Sequence, residues 1–149
     1  MLHLALQIYV QSFLPLVVLV LCAALRWGGR TERVVAWSFV IASLAQKLTQ
    51  GTFAQAFSQI EPTVAIIDGA LLCVLLRASL RDPRWWLLTA CALQLLSAIA
   101  HLARMVDLGM SPLAYAILTG TGAYPTQFLL IAGIVEYRSR SVRRNDAMH

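Results

Sequence analysis

Five long apolar runs, separated by short polar connections, occupy most of the chain. They are Leu2–Leu25, Val34–Leu48, Thr63–Leu80, Trp85–Val106 and Leu113–Val135. A membrane-crossing helix needs about 20 mostly apolar residues. Val34–Leu48 is the short run and calls for neighbouring residues or a thinned bilayer. The pattern predicts an all-α fold: an integral membrane bundle of about five transmembrane helices. The first run has no Lys or Arg ahead of it and is too long for a signal-peptide core, so it reads as a retained helix.

Composition strengthens this reading. The 149 residues have a mean hydropathy of +0.70, with 59% hydrophobic and only 13% charged positions. A soluble domain carries about 25% charged residues. A chain this short must expose much of its surface, and there is too little polar material here to face water. The net charge of +5 does not point to nucleic acid, because the basic residues stand at the ends of apolar runs.

Those positions predict orientation. Arg26, Arg30 and Arg33 lie in the first connection, Arg77, Arg81 and Arg84 in the third, and Arg138, Arg140, Arg143 and Arg144 in the C-terminal segment. Only Lys47 and Arg104 lie elsewhere. Basic connections stay in the cytoplasm, so the N-terminus is expected outside and the C-terminus inside. Residues 1–137 form one transmembrane domain on this reading, and 138–149 a basic cytoplasmic tail suited to anionic lipid or to fixing topology. Arg usage far above Lys, with abundant Ala and Leu, fits a GC-rich bacterial genome. The expected location is therefore the bacterial cytoplasmic (inner) membrane.

Trp27, Trp37, Trp85 and Trp86 fall beside the basic connections and are expected to form an interfacial belt. Cys22, Cys73 and Cys91 lie inside apolar runs without metal-ligand spacing and are expected to be buried free thiols. In the second connection Phe53, Phe57 and Ile60 repeat at helical spacing, which predicts a short helix on the outer membrane surface. Two segments also align 51 residues apart: Leu21-Cys22, Leu25-Arg26, Arg30 and Arg33 match Leu72-Cys73, Leu76-Arg77, Arg81 and Arg84. The chain is either two similar helical hairpins plus a fifth helix, or two helix ends that converged on Leu followed by Arg.

Polar residues within apolar runs carry the candidate chemistry. An ionised Asp at a transmembrane helix centre costs roughly 2.5–3.5 kcal/mol, so such groups face other helices or a cavity. His3, Gln7 and Gln11 form one stripe on the first helix. Ser43, Gln46, Lys47 and Gln50 share a face of the second. Asp68 lies on the third, about 9 Å from its outer end at 1.5 Å per residue. Gln94, Ser97, His101 and Arg104 share a face of the fourth, and Tyr115 and Thr119 are a turn apart on the fifth. Under the expected topology these gather in the outer half of the membrane. Asp68 is expected to pair with Arg104 or His101. The set reads as interhelical hydrogen bonding, as a ligand cavity, or as an ion pathway through Asp68 and His101.

In the fifth run, Thr119-Gly120-Thr121-Gly122-Ala123-Tyr124-Pro125 disfavours a continuous helix. A kink is expected there, with close helix contact through Ala116 and Gly120, or else an unwound ligand-binding stretch. No P-loop, GxSxG, HExxH or GxGxxG motif is present. Haem ligation by His3 and His101 is geometrically allowed, but no metal or cofactor is predicted; a bound lipid is compatible with the basic segment.

Trp85-Trp86, Gln94-Leu95-Leu96, His101-Leu102-Ala103, Asp107 and Ala114-Tyr115-Ala116 resemble small bacterial polytopic membrane proteins, over the C-terminal half only, and the resemblance implies no activity. The five-helix plan is also similar to the tryptophan-rich sensory protein family, which binds porphyrins, but that family's Trp-Pro motifs are absent and nothing is carried over. The expected function is a non-catalytic accessory or structural subunit of a larger membrane complex, with other membrane subunits or a second copy as partner. The alternatives are a small-solute binder or transporter with an outward-facing polar cavity, and a membrane enzyme or haem/quinone redox carrier.

Overall fold

The computed structural model describes residues 2–49, 62–107, 109 and 111–146. All regular structure among them is α-helical: α1 (Leu2–Trp27), α2 (Arg30–Thr49), α3 (Pro62–Arg81), α4 (Trp85–Val106) and α5 (Pro112–Asp146). Helices α3, α4 and α5 are long and apolar enough to cross a membrane, α5 over Leu113–Arg143. The proposed surface helix of the second connection lies outside the described residues.

The helix boundaries follow from local chemistry. Gly28 N–H donates to Ala24 O at 2.9 Å and closes α1. Gly29 N–H donates to Glu32 Oε2 at 3.0 Å. This is half of a capping box, in which the third helical residue reaches back to the backbone of the N-cap. It starts α2 at Arg30, four residues before the apolar run begins. Both glycines have negative φ, so their role is close approach. A Cβ on Gly29 would stand 2.6 Å from Tyr137 Cε2 of α5.

The unwound stretch, one of the two alternatives for the fifth run, is not found. Helix α5 runs for 35 residues with Pro125 inside it and continues through the basic segment to Asp146. Pro125 removes one backbone donor, and the neighbouring Thr126 hydroxyl donates to the Gly122 carbonyl. Gly122 serves packing, since an added Cβ would meet Ser97 Cβ at 3.0 Å and Leu93 O at 3.3 Å on α4.

The helices form a ring in chain order, α5 closing against α1 and also reaching α2. Phe13 of α1 and Tyr124 of α5 meet with ring centroids 5.2 Å apart. The core draws on every helix, with Ala24, Val35, Leu75, Leu87 and Leu130 fully enclosed. Leu48, Leu80 and Val106 are among many large apolar side chains left exposed.

Two expectations about burial are corrected. Trp27, Trp37 and Trp85 are exposed, but Trp86 is fully buried. The space for its indole comes from Gly133, where a Cβ would stand 2.5 Å from Trp86 Cε2. All three cysteines are free, yet only Cys91 is buried; Cys22 and Cys73 are exposed. Both lie on outward apolar faces, where hydrophobicity does not report burial.

The turns α1–α2 and α3–α4 meet at one end of the bundle, here termed the Arg-rich end. Thr31 Oγ1 donates to Asp82 Oδ2 at 3.1 Å, across 51 positions of sequence.

Candidate functional site

The buried face of α3 carries Asp68, Leu71, Leu75 and Ser79, one stripe at helical spacing. Asp68 is therefore held inward by the register that packs the leucines. On α4 the buried stripe passes through Gln94, Ser97, His101 and Arg104, so Ser97 and His101 present successive turns to the same point. Both reach one carboxylate oxygen. Ser97 Oγ donates to Asp68 Oδ2 at 2.8 Å, and His101 Nε2 lies 3.0 Å from it. From α2, Gln46 Nε2 donates to Asp68 Oδ1 at 2.8 Å. Gln94 Nε2 approaches the Asp68 carbonyl at 3.5 Å, the outer limit of a hydrogen bond.

The chain of contacts continues to α5. Tyr115 OH lies 2.6 Å from His101 Nδ1, with the two rings edge to face at 5.5 Å. A neutral imidazole satisfies both contacts when Nε2–H donates to Asp68 and the phenol donates to Nδ1. Four helices are thus joined through one carboxylate and one imidazole. The expected pairing of Asp68 with His101 is present.

The other expected site residues are placed less uniformly. Arg104 is buried one turn beyond His101. Thr119 donates to the Tyr115 carbonyl of its own helix at 2.9 Å. Ser43 is buried and donates to Phe39 O at 2.7 Å. Lys47 is exposed. Gln7 and Gln11 belong to α1, but their side chains, like that of His3, lie outside the described residues. Among the described residues no group of three or more His, Cys, Asp or Glu side chains is placed to hold a metal ion.

Two polar features escaped the sequence reading. At the Arg-rich end Glu32 is fully buried; it pairs with Arg84, which also reaches Asp82 at 2.7 Å. These carboxylates were hidden among the arginines that dominate both turns. The 51-residue alignment was the available signal, since it sets the two turns in register. The second feature is Gln127 on α5, fully enclosed, with no protein partner for Nε2 or Oε1. Its signal was a lone carboxamide in an otherwise apolar stretch.

Comparison with known protein families, with curated proteins and with solved structures finds no match to this chain.

Proposed function

We propose that the chain is a non-catalytic integral membrane protein that serves as an accessory or structural subunit of a larger membrane complex. Its five helices cross a bacterial inner membrane with the Arg-rich end and the C-terminus in the cytoplasm. The observation that carries this reading is the closure of Asp68 by donors from α2 and α4. Those polar groups satisfy one another across helices, as packing groups in a membrane bundle do. The exterior is broadly apolar, which suits lipid and neighbouring subunits.

Two measurements test it. Carbonate washing of native membranes is expected to leave the protein in the pellet, and release would remove the membrane assignment. Gentle detergent extraction followed by native mass spectrometry is expected to show the same polypeptides co-eluting at fixed stoichiometry. A lone monomer or homo-oligomer would exclude the accessory role.

A second reading, a small-solute binder, draws on Gln127, whose enclosed carboxamide has both hydrogen-bonding ends without protein partners. It predicts a detergent-purified protein whose melting temperature rises with one small polar solute, and a Gln127→Leu variant that loses the response.

A further inference from the structure

A concavity lies at the Arg-rich end, apart from Asp68. It is an open groove of about 560 Å³ whose walls include Arg30, Arg33, Val34, Trp37, Ile41 and the α5 residue Tyr137. Its α2 residues recur at helical spacing and so form one strip along the helix. The strip changes character along its length. Two guanidinium groups stand at the start, an indole follows about 10 Å further on, and an isoleucine at about 16 Å, from 1.5 Å per residue. Half the hydrocarbon thickness of a bilayer is about 15 Å, so the strip has the dimensions and polarity sequence of one lipid.

Among the described residues the cationic end has no internal counter-charge. Glu32 lies between the two arginines in sequence, but its carboxylate is turned inward to Arg84 and Gly29 N–H. Among the described residues no carboxylate pairs with Arg30 or Arg33. Both are exposed, as are Val34, Trp37 and Ile41. The groove combines uncompensated positive charge with an adjoining apolar wall, which excludes a purely apolar occupant and favours an amphiphilic anion.

We propose that this groove binds one anionic phospholipid, its phosphate against Arg30 and Arg33 and an acyl chain along Val34, Trp37 and Ile41. The inference rests on the membrane insertion proposed above, with the Arg-rich end at headgroup level. Arginine supplies paired donors that fit phosphate oxygens. Tyr137, packed against Gly29, flanks the groove at its cationic end.

The test uses the full chain in detergent, with dioleoylphosphatidylglycerol and dioleoylphosphatidylcholine as probes and native mass spectrometry as readout. The wild type is expected to retain one phosphatidylglycerol with about tenfold or greater preference, given the attraction of each basic residue to anionic lipid. Arg30→Gln with Arg33→Gln is expected to abolish the preference, and Arg30→Lys with Arg33→Lys to keep part of it. Arg143→Gln with Arg144→Gln, an equal charge change in the C-terminal segment, is expected to leave it intact. Equal loss in the groove and C-terminal variants would overturn the site, as would no preference in the wild type. Displacement of the lipid by millimolar inorganic phosphate would show a phosphate site and overturn the lipid. Carbonate resistance reports insertion separately, so a lost preference in a carbonate-resistant protein refutes the groove alone.

Discussion

Gln127 sets a full carboxamide in the core with neither end bonded to protein. A buried polar group left unsatisfied costs about 1–3 kcal/mol. Gln127→Leu keeps the approximate volume and removes the cost, so it is expected to stabilise the detergent-solubilised fold by about 1 kcal/mol or more in an SDS-unfolding titration. A loss of stability would mean that the carboxamide is satisfied by a bound molecule. Asp68 and Tyr115 give the opposite expectation. Interhelical hydrogen bonds in membrane proteins average about 0.6 kcal/mol. Tyr115→Phe removes the single bond to His101 and is expected to cost about that much. Asp68→Ala removes the bonds to Gln46, Ser97 and His101 together, for about 2 kcal/mol. Equal costs for the two substitutions would refute Asp68 as the shared centre of the network.

At the scale of the helices, glycine marks which faces touch. Gly133 receives the Trp86 indole, whereas a Cβ on Gly69 would meet nothing within 4 Å. Gly133→Ala is expected to destabilise by about 1–3 kcal/mol through overpacking, and Trp86→Phe to relieve part of that. Gly69→Ala is expected to gain about 0.5–1 kcal/mol from helix propensity. Thermal melts of the three variants check the order, and a neutral Gly133→Ala would refute the close α4–α5 contact. The same contrast shows what was legible in the sequence. The five helices of the described residues and the Asp68–His101 pairing were readable, because long apolar runs and the polar residues within them stand out, and the latter must find partners. The burial of Trp86 and the exposure of Cys22 and Cys73 were not. When both faces of a helix are apolar, periodicity no longer separates inside from outside. The continuity of α5 through residues 119–125 was not legible either. Gly122 and Pro125 weaken an isolated helix, and the packing of Gly122 against α4 offsets part of the loss.

Across the whole bundle, the polar work is divided between two levels. The Asp68 network joins α2, α3, α4 and α5, while Glu32 and Arg84 fasten the α1–α2 turn to the α3–α4 turn at the Arg-rich end. Arg33 and Arg84 are equivalent in the 51-residue alignment, yet Arg33 is exposed and Arg84 reaches a fully buried carboxylate. Their substitutions should therefore diverge. Removing one partner of a buried ion pair costs about 3–5 kcal/mol, because the remaining charge is left enclosed. Arg84 keeps 18% of its side chain exposed, so water offsets part of this, and Arg84→Gln is expected to cost about 3 kcal/mol. Arg33→Gln is expected to fall within about 0.5 kcal/mol of wild type, as surface changes do. Arg84→Gln combined with Glu32→Gln should recover part of the loss, since no charge then remains buried. Recovery is expected to be incomplete, because Glu32 also caps α2 through Gly29. SDS-unfolding titrations of all three variants decide the matter: equal effects of Arg33→Gln and Arg84→Gln would mean that both arginines act only as surface charge, and that the two turns are held together by packing alone.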